Sequence, residues 1–532
     1  MQGFKNIINI LFIFCWACST KVANNKKIFT YNEATGIASL DPAYAKNQSV
    51  MWPTNLIYNT LVETDSNLQI QPSIAKNWQI STDKKTYTFY LHNHIFFHDN
   101  IAFANGKGRK LTAYDVVYSL ERIINPKVAS PGAWIFNGKV DTLQPFVAIN
   151  DTTFQLKLLQ PFQPILGILS MKYCSIVPKE VVAYYGDEFR RNPCGTGPFT
   201  FAAWYEGEAL ILHKNQHYWE KDTDGTALPK LDAVKITFLD NKASEFLAFR
   251  QGKLSFINDI DPSFKDEVLT KTGELRNHWK NKFKLYKHNY LNVEYLGILQ
   301  DAKSTLVAGS PLKEKAVRIA MNKAINKEQL MLHLRNSIGI PANAGFIPLA
   351  LQSNFINATE YNIAEAKKLL SVANYKGELI SLVSIPIYAD IANYVAKQWQ
   401  IIGLNVKVEI VPKSVLLQQT AQGKVLLFRG SWIADYPDAE NFMTVFYGKN
   451  PAPPNYTRYN NEKFNRLYQQ ALYTIDDSLR LKLYEEMNNI IMQDVPVIPL
   501  WYDRVIHLVN NNVSHWQPNA LNLLNLKKVT IQ

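Results

Sequence analysis

Between Arg429 and Phe442 the chain reads Arg429-Gly-Ser-Trp432-Ile-Ala-Asp435-Tyr-Pro-Asp438-Ala-Glu-Asn-Phe442, which sets an arginine, a carboxylate and large aromatics within a few residues of one another. A guanidinium offers a planar fork that matches a carboxylate, and a desolvated aspartate accepts hydrogen bonds from an ammonium. Together the two suit the ends of a zwitterion. The plainer reading, in which Arg429 and Asp435 pair with each other or cap local turns, stays open from these residues alone. Asp438, beside Pro437, reads as a turn residue.

Other chemistry is thinly represented. His92, His94 and His98 form the best metal-like cluster, with His92 and His94 on one face of a strand. They read as an ordinary polar strand face rather than a metal site. A peptidase would need a nucleophile elbow or a zinc helix, and the chain contains neither G-x-S-x-G nor H-E-x-x-H; it also lacks a Walker A lysine after its glycines. The expectation is a protein that is not an enzyme and carries no cofactor or metal.

The elements around the first segment decide where it can act. A helix ends at Gly403, a strand runs through Val406, Val408 and Ile410, a short helix crosses, and Gly423 releases the chain into 424–430. This alternation predicts a parallel pair of strands. The segment beyond Gly430 then lies just past a strand's carboxyl end, where open α/β sheets place ligands. Elsewhere Thr112 and Asp115 predict a capping box before the apolar stripe Val116, Val117, Leu120 and Ile124. Ser310 and Pro311 start a helix with Leu312, Ala316, Val317, Ala320, Met321 and Ala324 inward, and Asn362 with Glu365 opens another carrying Ala366, Leu369 and Leu370. Strands are expected at Tyr87–Leu91 and Lys235–Leu239, and a late stripe of Leu483, Met487, Ile490 and Ile491 leads into a strand from Val497 to Tyr502. No repeat or low-complexity linker separates these elements, so the lobes expected of 532 residues are interleaved rather than strung in a row.

At the N-terminus Lys5 precedes an apolar run over 7–17, well short of the roughly 20 residues that span a bilayer. It reads as a signal peptide over 1–17. The Ala17-Cys18 junction resembles a bacterial lipobox, which makes Cys18 the lipidated first residue of a tether over 18–27. Cys15 and Cys18 form a C-x-x-C, but inside the apolar run it is not a redox motif. Cys174 and Cys194 remain, and an oxidising compartment allows a disulfide between them. The net charge of +12 comes from 57 basic and 45 acidic residues spread along the chain, densest at Lys107, Arg109 and Lys110. Spread in this way, the charge reads as a solvated surface and not a nucleic-acid footprint.

From Ile28 almost to the C-terminus the chain resembles the family 5 extracytoplasmic solute-binding proteins of ABC importers, the oligopeptide- and dipeptide-binding group. The motifs that carry the resemblance are Ser39-Leu-Asp-Pro42, Leu56-Ile-Tyr-Asn-Thr-Leu61, Ile74-Ala-Lys-Asn-Trp78, Tyr87-Thr-Phe-Tyr-Leu91, Phe97-His-Asp99, the segment from Leu111 to Ser119, Gly195-Thr-Gly-Pro-Phe199, Asn215 through Tyr218-Trp219, and Trp432 through Asp435 to Asp438. The order and number of these motifs are more specific than any one of them.

The resemblance implies an α/β fold, a periplasmic-binding-protein type II clamp with two main lobes and an additional inserted lobe. Placed by the motifs, the discontinuous lobe I takes 28–64, 192–287 and 508–532, the inserted lobe II takes 65–191, and lobe III takes 288–507. Strands crossing near Lys287 and Leu508 would form a hinge, with closure biased by ligand contacts on both faces. The implied ligand is a short peptide, its α-ammonium on Asp435, its carboxyl end met by Arg429 and its pocket walled by Trp432. The peptide backbone is otherwise held like an added strand. The implied partners are a membrane permease and its separate ATPase, for a monomer tethered through lipid to the outer face of a membrane. Members of the same family bind nickel chelates, haem or sugars instead, which is the alternative for this chain.

Overall fold

The structure is a computed structural model that describes residues 26–261, 263–352 and 359–532. The signal peptide, Cys18 and most of the expected tether lie outside the described residues. Among those described, no helix is long and apolar enough to cross a membrane.

Strand alternation builds three substantial sheets. Ile28–Asn32, Ala233–Thr237, Ala209–Lys214 and Phe199–Tyr205 form a four-stranded sheet in that order, with the first pair parallel. Ala75–Ile80, Thr86–Leu91, Thr153–Lys157 and Phe146–Asn150 form an antiparallel one. In the strand Thr86–Leu91 every second side chain, Tyr87, Phe89 and Leu91, is buried, as period-two alternation requires. The third sheet has seven strands and is organised by two long ones, Phe283–Ile298 and Val497–Asn510.

These two strands pair antiparallel over most of their length. Phe256–Asn258 flanks one end of the ladder and Leu427–Ile433 the other. Pairing breaks where residues 290–292 of one strand face Asp503 of the other. The expected strand to Tyr502 is therefore twice as long as predicted, because its second half pairs on into 283–289. The predicted parallel pair is also corrected: Ile380–Ser384 lies between Val406–Ile410 and Leu427–Ile433, parallel to both. Asp435 sits two residues beyond the strand end at Ile433, as the crossover pattern required.

The helices follow their caps. Thr112 donates its backbone N–H to the Asp115 carboxylate at 2.9 Å, and Val116, Leu120 and Ile123 are buried beneath it. Asn362 accepts from the Glu365 N–H at 2.9 Å to open Ile363–Val372. The helix expected from Ser310 is divided: a 3-10 turn, Pro311–Lys313, precedes Lys315–Lys323, with extended backbone at Glu314 between them.

Most of the motifs prove to be framework. Asp41 accepts from the Ala43 N–H at 3.0 Å and takes a two-point ion pair from Arg122 at 3.1 and 2.7 Å. Asn59 accepts from Thr196 at 3.0 Å and donates to the Tyr218 hydroxyl, which in turn donates to Glu220, a partner of the buried Lys527. His98 is bonded through Nε2 to the Gly197 carbonyl at 2.9 Å, and burial pushes its pKa down to about 4, so it is neutral. The expected disulfide is not formed. Cys174 donates to the Ile168 carbonyl and Cys194 to that of His98, so each thiol is buried in its own setting.

Gly197 shows how tightly this framework closes. Its N–H donates to the Ile57 carbonyl at 2.8 Å, and a Cβ there would lie 2.4 Å from the Ile57 carbonyl carbon and 2.7 Å from the Tyr58 nitrogen. Backbone cannot yield as a flexible side chain does. Gly197→Ala is expected to lower stability by about 1–3 kcal/mol, read as a fall in the urea midpoint.

Candidate functional site

The segment after Leu427–Ile433 opens onto a cavity of about 690 Å³, lined from two distant stretches of chain, 134–162 and 432–473. The first stretch gives Trp134, Lys139 and Phe162, and the second gives Trp432, Asp435, Tyr436, Glu440, Tyr447 and Tyr468. The volume falls within the roughly 300–1,000 Å³ usual for small-ligand sites. Aromatic rings alternate along its walls with polar and charged side chains.

Asn441 fixes the two predicted residues that reach this cavity. Trp432 donates its indole N–H to the Asn441 carbonyl at 2.7 Å and to its side-chain oxygen at 3.1 Å, and the Asp435 N–H donates to that same oxygen at 3.3 Å. Asp435 is open to cavity water on one side and crowded by protein on the others. Loss of surrounding water raises its pKa to about 6; the Glu440 charge adds to the rise and a hydrogen bond from Asn441 opposes it. Among the described residues no cation pairs with Asp435. Its charge bears on Tyr290, pushed up to about 12 mainly by burial, and on Tyr173, raised for the same reason.

Glu440, unlike Asp435, is almost fully buried, and it is fully engaged. Its carboxylate accepts from the hydroxyls of Tyr436 and Tyr468, which hold its charge against the rise that burial causes. Beside them the two stretches of chain touch: a Cβ on Gly167 would meet Tyr436 at 3.4 Å and Pro437 at 3.5 Å. Asp438 confirms its turn role by accepting from the Glu440 N–H at 2.9 Å, and it also pairs with Arg480 at 2.7 Å.

Arg429 departs from expectation. Instead of standing available to a ligand carboxylate, it pairs with Glu294 at 2.5 Å and stacks over Tyr388 with its guanidinium 3.8 Å from the ring centroid. Arg429 is 13% exposed and Glu294 3%, and neither lines the cavity. Asn292 extends the cluster by donating to Glu294 at 3.4 Å and to Asp503 at 3.2 Å, and Asp503 also pairs with Arg335 at 3.5 Å. A lone carboxylate in the apolar run from Leu291 to Ile298 was a usable signal, since a buried charge requires a partner. The identity of that partner was not readable. His92 lies tilted against Trp219 and His94 meets that ring edge-on, with centroids 5.3 and 6.5 Å away, apart from this site.

A family model for bacterial extracellular solute-binding proteins, family 5, matches residues 69–454. The chain belongs to that family. This solute-binding protein is 25% identical over 501 residues to a dipeptide-binding protein of Escherichia coli, covering 90% of this chain and 89% of that one. It is 24% identical over 505 residues to heme-binding protein A of Haemophilus influenzae, covering 90% and 87%. Among solved structures it is similar to the periplasmic binding protein DppA of Helicobacter pylori in complex with the peptide STSA, with a TM-score of 0.76, 25% identity, and coverage of 95% of this chain and 98% of that one. The clamp fold, an extracytoplasmic place of work and a solute-binding role follow from the family, whose members bind rather than transform.

The two carboxylates differ in what their removal does. A carboxyl whose folded pKa is raised favours the protonated form, so the native state loses stability as pH rises from the ordinary aspartate range toward about 6. Asp435→Asn should therefore raise the unfolding midpoint of the ligand-free protein at pH 7.5, and the gain should vanish at pH 4. Glu294→Ala, which strands the buried Arg429, should cost about 3–5 kcal/mol in urea unfolding, and adding Arg429→Leu should recover part of the loss.

Proposed function

We propose that this protein captures short peptides outside the cytoplasm, closes over them and presents them to a membrane permease powered by a separate ATPase. The observation that carries the reading is Asp435, a carboxylate open to the cavity, crowded by protein and without a cationic partner among the described residues, in a cavity with aromatic side chains walled by two distant stretches of chain. Such a group is satisfied by an ammonium brought in by the ligand. Trp432, held by Asn441, forms the wall beside it. The relatives named for dipeptides and the neighbour holding the peptide STSA support a peptide over the other solutes of the family.

Lobe I at 28–64, 192–287 and 508–532, lobe II at 65–191 and lobe III at 288–507 make the clamp in this reading. The lapse in pairing at 290–292 marks its hinge, a few residues beyond Lys287. Arg429 contributes to the rigid floor of lobe III through Glu294, and the ligand's carboxyl end is met elsewhere. The junction at Cys18 supplies a lipid tether that keeps the monomer beside its permease.

Removing the Asp435 charge leaves a bound ammonium desolvated and unpaired, an error worth roughly 2–5 kcal/mol. By calorimetry with tri-alanine, Asp435→Asn should weaken binding by roughly 30-fold to several thousand-fold. Wild-type affinity in that variant would end the assignment. Native mass spectrometry of the protein from its own host should show peptides; a haem or a metal chelate would replace the reading with the family alternative.

A further inference from the structure

Lys139 lines the same cavity as Asp435 but comes from the other stretch of chain. Its backbone is fixed: the Lys139 N–H donates to the Phe136 carbonyl at 3.1 Å, the Leu159 N–H donates to the Lys139 carbonyl at 2.9 Å, and Val140 bridges to Leu158. Its side chain is bracketed by two aromatic rings, with Nζ 5.9 Å from the Trp134 centroid and 5.5 Å from that of Phe162. The polar contact of this ammonium is one long hydrogen bond, 3.4 Å, to the Trp134 carbonyl. Among the described residues no carboxylate pairs with it.

An ammonium carries three donors, and two ring faces with one long bond leave the others to solvent or to a ligand. Burial lowers its pKa, and the Glu440 charge only partly offsets that effect. Glu440 has already committed its oxygens to Tyr436 and Tyr468, so it is not a free counter-ion. The cavity thus holds one uncommitted carboxylate, Asp435, and one uncommitted ammonium, Lys139. A ligand that brings only an ammonium satisfies the first and leaves the second without an anion in a site that has lost water.

We infer that Lys139 is a second charged anchor, which takes a carboxylate of a ligand already held by its ammonium at Asp435, with the rings of Trp134 and Phe162 packed around the pair. This rests on the proposed peptide reading and adds a preference to it. The carboxylate can come from an acidic side chain on the first residue or from the carboxyl end of a very short peptide. Both sources present the same chemistry to Lys139.

Calorimetry with two matched pairs separates them: Glu-Ala-Ala-amide against Gln-Ala-Ala-amide, and Ala-Ala against Ala-Ala-amide. The wild type should favour the acidic member of one pair by about tenfold. Lys139→Met should erase that preference and leave the neutral members bound as before, which also shows that the variant is folded; Lys139→Arg should keep it. Asp435→Asn should weaken all four peptides. No preference in the wild type, a preference that survives Lys139→Met, or equal weakening of all four by Lys139→Met overturns the Lys139 anchor and leaves the peptide reading standing. Failure of all four to bind the wild type overturns both.

Discussion

The antiparallel ladder between Phe283–Ile298 and Val497–Asn510 is the constraint on which the cleft depends. One end carries Phe256–Asn258, whose neighbours pack on the aromatic cluster of Phe249, Trp279 and Phe283. The other end carries Leu427–Ile433 and, through it, Trp432 and Asp435. Two independent packing systems are thus tied to one pair of strands. The ladder lapses where residues 290–292 face Asp503, and there Leu291 turns its backbone to Ala520 and Ala434 while Asn292 pairs with Ile433. Motion concentrated there would leave each end intact, as expected of rigid bodies turning about a few residues.

Two carboxylates beside this ladder are treated in opposite ways. Glu294 is buried within a strand and is answered inside the protein by Arg429, with Tyr388 and Asn292 completing the cluster. Asp435 lies just past a strand end and, among the described residues, is answered by nothing of opposite charge. A buried ion pair holds geometry without necessarily adding stability, whereas an unanswered carboxylate makes the empty state less stable than it could be. On the proposed assignment the difference ties ligand binding to electrostatics: an ammonium brought to Asp435 would relieve a cost present without it.

Much of this was legible in the chain. The helices opened by Thr112 and Asn362 stand where their caps placed them, and the crossover around Gly403 and Gly423 put Asp435 beyond a strand end. Segment, spacing and residue type together singled out Trp432 and Asp435, and both line the cavity. The order of the parallel strands was not readable, since nothing local says that Ile380–Ser384 will lie between two later strands. Arg429 was misjudged because its partner lies 135 residues earlier, and pairing at that range leaves no local trace. Lys139 was invisible for the same reason: it becomes chemically distinctive only when residues 134–162 and 432–473 line one cavity. Motifs such as Asp41 and Gly197 drew attention to themselves, yet their work is to hold the frame.

The two thiols carry a consequence for how the chain matures. Cys174 and Cys194 are sealed in separate apolar surroundings, and burial keeps both protonated and unreactive. Among the described residues the fold closes without a disulfide, so that part of the chain does not call on thiol oxidation. Two sealed thiols make the packing around them indifferent to whether the surroundings are reducing or oxidising.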